Sequence, residues 1–185
     1  CIRDSLKLYG LGYGWRFKFP SIEYSAPTEI MEIQEGLRGT MYLHLDDGRS
    51  ITIARNYEKR VWEFEDYEEK DITLSFPSGQ TVVTHRSGRK DVFSGTDEDI
   101  RLQYMEDKFG NRISFGYTGG RLSRITDTMG RVLNLKETVS GNVKTLYWQQ
   151  EETGDILCKY TVRDNLLADM RAVIGEASER VTAYE

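Results

Sequence analysis

A phrase of about twenty residues begins again as soon as it ends. Asp107-Lys108-Phe109-Gly110-Asn111-Arg112-Ile113 opens a run that closes on Gly120-Arg121-Leu122-Ser123-Arg124-Ile125. Asp127-Thr128-Met129-Gly130-Arg131-Val132-Leu133 then restarts it, with Asp127 matching Asp107 and Gly130 matching Gly110. Such a period marks a stacked array in which no unit closes a core alone and neighbours bury each other. This constraint points to a scaffold, not a catalyst.

The phrase has a direct structural reading. Asp-x-x-Gly followed by Asn111 or Arg131 sets a tight turn, because glycine reaches the positive φ that hairpin turns require. Ile113, Phe115 and Tyr117 alternate with Arg112, Ser114 and Gly116, which predicts a strand with one apolar face. Thr118-Gly119-Gly120-Arg121 turns the chain again, and Leu122 to Ile125 begins the return strand. The expected class is all-β, with antiparallel hairpin repeats forming a curved, twisted sheet.

The rest of the chain reads in the same way. Gly10, Gly12 and Gly14 lead into Trp15-Arg16-Phe17-Lys18-Phe19, whose alternation predicts a strand ended by Pro20. Residues 24–39 are the least regular. Residues 41–45 and 50–54 flank a turn at Asp46-Asp47-Gly48-Arg49, and 61–64 read as a further strand before an acidic loop at 65–71. Ile72, Leu74 and Phe76 alternate before a turn at Pro77-Ser78-Gly79. Hairpins follow around Gly88 and across 95–98, and Ile100, Leu102 and Tyr104 lead into the repeats. Beyond them, 134–136 and 144–150 flank a turn at Ser140-Gly141-Asn142. No proline follows Pro77, so these strands can all donate to a continuous ladder. Leu166, Leu167, Met170, Val173 and Ile174 fit helical spacing as well as alternation, which leaves a short C-terminal helix as the alternative to strand.

Residues 107–135 resemble the Rhs, or YD-repeat, family, whose repeat reads roughly D-x-x-G-N-x-aliphatic-x-aromatic-x-Y-x-x-x-G-R-L. The matching positions are Asp107, Gly110, Asn111, Phe115, Tyr117, Gly120, Arg121 and Leu122, and then Asp127, Gly130 and Arg131. A divergent third copy runs over 152–185 without the Gly-Arg-Leu phrase. Leu11-Gly12-Tyr13-Gly14-Trp15 is similar to the opening of an Rhs core, and the turns at Gly48, Gly79 and Gly88 resemble its hairpins. The resemblance divides the chain into an irregular hairpin region, 1–99, and repeats, 100–185, at 107–126, 127–148 and 152–185. It implies part of a hollow β-shell. In bacteria such shells enclose a toxic C-terminal segment for delivery or intercellular competition, and animal teneurins use a similar shell for adhesion. The partners it implies are the rest of a parent chain and its enclosed cargo, in a secreted, cell-surface or delivered bacterial protein. The self-cleaving aspartate site of such shells needs Asp-Pro, which does not occur here.

Length and charge agree with a segment. The 185 residues begin at Cys1 and not at Met, and the last repeat stops at Tyr184-Glu185, which reads as a piece of a longer protein. About a dozen strands at ~4.8 Å spacing would make a wall roughly 60 Å wide. As a fragment it would expose ladder edges able to self-associate. A net charge of −5, with basic residues scattered along the strands, gives no reason to expect nucleic acid. No apolar stretch is long enough to span a bilayer. Cys1 and Cys158 leave two readings, a disulfide or a buried free thiol on the Cys158 strand.

Candidate chemistry is sparse. Gly10-x-Gly12-x-Gly14 lacks the spacing of a dinucleotide loop. His44 and His85, the only histidines, have no partner at metal-ligand spacing, and no nucleophile elbow occurs. Asp46-Asp47 and Asp97-Glu98-Asp99 place carboxylates in loops without the spacing of a calcium site. No cofactor, metal or catalytic residue is expected. Trp15, Trp62 and Trp148, with eleven tyrosines, suit either cross-strand ladders or stacking platforms for sugars. An adhesion or glycan-binding module is therefore the alternative to the shell wall.

Overall fold

The computed structural model describes residues 9–26, 39–95, 99–173 and 179–184. Strands β1 (Ser21–Ser25), β2 (Thr40–His44), β3 (Ser50–Asn56) and β4 (Val61–Phe64) form a four-stranded sheet in chain order. An eleven-stranded sheet, also in chain order, holds β5 (Ile72–Ser75), β6 (Thr81–His85), β7 (Lys90–Ser94), β8 (Arg101–Glu106), β9 (Arg112–Thr118) and β10 (Arg121–Thr126). It continues through β11 (Val132–Ser140), β12 (Val143–Gln150), β13 (Ile156–Arg163), β14 (Leu166–Val173) and β15 (Glu179–Ala183). The protein is all-β with antiparallel sheets, and among the described residues its one helical piece is a 3-10 turn at Pro77–Gly79.

Residues 166–173 are strand, which overturns the helical alternative over that span. Asp164 and Asn165 both take positive φ, 50° and 64°, and set Leu166 opposite Arg163. Asp and Asn tolerate this conformation better than other non-glycine residues, so the pair makes a two-residue hairpin turn. In the strand that follows, Leu166 is exposed and Leu167 buried. Ile174 and Gly175 lie outside the described residues.

Residues 15–19 do not form the expected strand. Gly10, Gly12 and Gly14 all take positive φ, which breaks an extended run, and the aromatic residues make side-chain contacts where a ladder was expected. The Phe17 ring meets those of Tyr9, Trp148 and Tyr160 at 5.4–5.5 Å between centroids. Alternating aromatics look alike in sequence whether they line a strand or anchor a docked loop.

The chain divides into two compact units, one spanning Lys18–Arg112 and the other Ile113–Glu185 with the residues up to Phe17. In the first, β1–β4 and β5–β8 bury their apolar faces, with Leu43, Ile53, Val83 and Phe93 fully enclosed. Register explains the set: Met41 pairs with Ile53 and Leu43 with Ile51, while Thr81 pairs with Phe93 and Val83 with Asp91, so each group shares one face.

In the second unit a cluster of Leu146, Val162 and Leu167 lies on β12–β14, with Leu135, Tyr160 and Tyr184 packed against it. The second layer here is the segment from Tyr9 to Phe17. Tyr9 and Leu11 are buried, and the Tyr13 amide donates to the Asn165 carbonyl at 2.7 Å. Gly12 sits so close that a Cβ there would lie 2.7 Å from the Asn165 oxygen.

Two kinds of glycine therefore behave differently on substitution. Gly110 and Gly130 have φ of 87° and 82° with open space around a built Cβ, so only backbone strain opposes a side chain. Valine at either should cost about 1–2 kcal/mol. Gly12→Ala combines a positive φ of 96° with a backbone collision and should cost more than Gly110→Ala. Urea unfolding of the variants measures this, and Gly110→Val melting like the parent would contradict the turn geometry.

Candidate functional site

The repeated Asp-x-x-Gly phrase folds into the same loop twice. In the first, the Asp107 amide donates to the Asn111 carbonyl at 2.9 Å and the Gly110 amide to the Asp107 carbonyl at 3.1 Å. In the second, Asp127 and Arg131 are bonded at 3.1 Å and Gly130 and Asp127 at 3.0 Å. Each aspartate also accepts two backbone amides on Oδ1, from Phe109 and Asn111 in one loop and from Met129 and Arg131 in the other. Oδ2 then takes the side chain of the residue after glycine, Asn111 at 2.8 Å or Arg131 at 2.6 Å. One carboxylate thus satisfies three donors, which explains why Asp stands at this position.

Both carboxyls are held below the usual range. For Asp107 the Asn111 side chain is the main cause. For Asp127 desolvation pushes the other way but is outweighed by the hydrogen bonds from Arg131 and the backbone. The loops at 45–49 and 85–89 share the backbone pattern without the aspartate, with Leu45 bonded to Arg49 at 2.9 Å and His85 to Arg89 at 2.8 Å. The position after Asp-x in the two repeat loops carries Phe109 and Met129, 78% and 81% exposed, which the repeat pattern did not single out.

The remaining repeat residues lie where hairpins need them. Gly119 and Gly120 take φ of 56° and 84° and join Thr118 to Arg121. Phe115 and Leu122 are buried, Tyr117 pairs with Leu122 and is half-buried, and Arg121 reaches Glu137 at 3.1 Å. The three tryptophans have separate surroundings. Trp148 is buried beneath Phe17, Trp15 tilts against Tyr184 at 4.5 Å, and Trp62 is half-buried with the Arg55 guanidinium 5.9 Å from its ring. Trp148 therefore offers no open stacking face.

A dense polar group lies in the Lys18–Arg112 unit. Arg89 from the 85–89 loop holds Asp46 of the 45–49 loop through two bonds of 2.6 and 3.0 Å. Arg49 binds Asp71 at 2.8 Å, Asp47 at 2.8 Å, and Glu69. Fully buried Asp91 meets His85 Nε2 at 2.6 Å and Arg89 Nη2 at 3.0 Å, while its Oδ1 and the Arg89 Nε have no partner among the described residues. A His–Asp pair is half of a nucleophile-activating triad. Here Asp91 binds Nε2, the same ring nitrogen that lies 3.1 Å from Arg89 Nη2, and among the described residues no hydroxyl or thiol is hydrogen-bonded to the opposite nitrogen, Nδ1, where a nucleophile would have to sit. The group works as an ionic clasp between two hairpin ends.

His44 is held by Ser50 at 3.0 Å and Glu23 at 3.4 Å. Among the described residues no group of three or more His, Cys, Asp or Glu is placed to hold a metal, and no helix is long and apolar enough to cross a membrane. Asp97, Glu98 and Cys1 lie outside the described residues; Cys158 is a free, half-buried thiol on β13. Comparison with family models, curated proteins and solved structures finds no match to the chain.

The clasp has an acid limit. Hydrogen bonds from Arg89 lower the Asp46 carboxyl, and those from Arg49 lower Asp71. A folded carboxyl held below its unfolded value of about 3.9 stabilises fully above that pH and loses its contribution as pH falls through the folded value. Asp46→Asn should cost about 1 kcal/mol at pH 7, allowing for solvent screening of a partly exposed pair. The gap between parent and variant urea midpoints should narrow as the pH falls below the unfolded carboxyl value of about 3.9 and through the lower folded value. An unchanged gap at low pH would show that Asp46 acts through packing and not charge.

Proposed function

We propose that this chain is a wall segment of a YD-repeat β-shell, whose work is to enclose a partner polypeptide. The observation that supports this reading most is the run β5–β15. Each strand pairs with the next in sequence, and the Asp-x-x-Gly loops turning it share one hydrogen-bond network. Among the described residues β15 leaves its outer ladder without a partner, so the meander offers an edge to a further strand. Further hairpins of a parent chain would extend it strand by strand, as repeat architectures grow. In this reading the cargo is a C-terminal toxin or effector of a bacterial polymorphic toxin, secreted or delivered to another cell.

The polar groups brought together here support a mechanical role. Ion pairs and turn carboxylates tie loop ends, and Asp91 Oδ2 is shared by His85 and Arg89. Limited proteolysis of a longer natural chain containing these residues is the test. A C-terminal segment that resists protease until the shell is denatured is the expected result, and one cleaved as fast as a free peptide would refute enclosure. In isolation the 185-residue chain should self-associate through β15. Sedimentation should show dimers or larger species, reduced by Val181→Lys, which adds charge to that edge. A monomer at all concentrations would show the edge to be covered.

A further inference from the structure

The Lys18–Arg112 unit is clasped at one end and open at the other. Arg89–Asp46 lies where β2 turns into β3 and β6 into β7. At the opposite end of β3 and β6 is an open cavity of about 350 Å³, bordered by Arg55, Arg60, Trp62, Phe76, Gln80 and Thr81. Its position follows from register. Arg55 continues the face of Ile51 and Ile53, and Trp62 lies opposite Arg55, so both occupy core-facing positions past the end of the apolar core. Thr81 does the same on the facing sheet, ahead of Val83.

The lining is chemically one-sided. Two guanidiniums border the cavity and no described carboxylate does, in a chain of net charge −5. Elsewhere in this unit Arg49, Arg89, Arg101 and Arg112 each hold a carboxylate. Arg55 and Arg60 make no ion pair with a described residue, and the Gln80 amide and Thr81 hydroxyl make no side-chain hydrogen bond with one. Backbone strain marks the same rim. Arg60 has φ of 57°, and Ser78, beside the cavity-lining Gly79, has φ of 51°. Non-glycine residues held in this region concentrate at ligand-binding positions.

We propose that this cavity binds a carboxylated sugar residue. Arg55 and Arg60 take the carboxylate, a charge-assisted contact suited to planar guanidinium. Gln80 and Thr81 meet ring hydroxyls, and Trp62 and Phe76 face the apolar side of the ring. The volume suits one ring-sized ligand, and an extended peptide would need a groove. Neutral donors and acceptors beside the two arginines favour a ligand with both hydroxyls and a charge over a purely acidic side chain. The inference stands independently of the shell reading, since a wall and a free adhesion module could both carry this site.

The test is titration of the 185-residue chain with D-glucuronate, D-glucose and hexaglutamate, followed by calorimetry and by the tryptophan indole N–H resonances. Trp62→Phe identifies the Trp62 signal. Glucuronate should saturate and shift that signal, with glucose weaker by about tenfold or more. Arg60→Gly suits the positive φ and should melt no lower than the parent, while weakening glucuronate by about tenfold. The proposal is overturned if glucose binds as well as glucuronate, if only hexaglutamate saturates, if no probe binds, or if Arg60→Gly binds like the parent.

Discussion

An antiparallel sheet has two faces, and burying one of them requires a second layer. The structure depends on how each unit supplies it. The hairpins are locally well specified, but a hairpin array gains little until its apolar face leaves water. Each large apolar side chain enclosed contributes roughly 1.5–3 kcal/mol, against an ordering cost of similar size per residue. In the Lys18–Arg112 unit the second layer is another sheet, and Leu43, Ile53, Val83 and Phe93 disappear between the two. In the unit built from Ile113–Glu185 it is the segment from Tyr9 to Phe17, brought from more than a hundred positions away in sequence. Burial raises the Tyr9 hydroxyl to about 12, so this layer includes a phenol that stays neutral at physiological pH.

Turns and layers contribute differently. Asp107 and Asp127 satisfy backbone amides that would otherwise face solvent at the hairpin tips, which fixes register within a repeat. They bury almost nothing. The ionic clasp of Asp46, Arg89, Asp91 and His85 lies between these extremes, because its charges are partly or wholly removed from water and its geometry ties two loops. A buried group of this kind is costly to break and weak evidence of net stabilisation. Its clearer consequence is specificity: it aligns the 45–49 loop with the 85–89 loop.

Much of the fold was legible in sequence because turns are written locally. Gly48, Gly88, Gly110 and Gly130 each follow a strand of alternating character, and each sits at positive φ in the structure. Two segments were less legible, for different reasons. Trp15, Phe17 and Phe19 alternate as a strand would, yet Phe17 packs on Tyr9, Trp148 and Tyr160, and nothing local separates that outcome from a ladder. The Asp164–Asn165 turn was written in the chain as a pair tolerant of positive φ, and helical spacing in the next residues obscured it. The cavity arginines were harder. Arg55 and Arg60 belong to the sequence's scattered basic residues, and only register shows that Arg55 and Trp62 face inward beyond the end of the core.

The central claim is enclosure, and direct imaging tests it best. Electron microscopy of a longer natural chain containing these residues should show a hollow particle, bounded by a β-wall with density inside. A solid or extended particle without an internal chamber would contradict the account and leave an adhesion module as the better description.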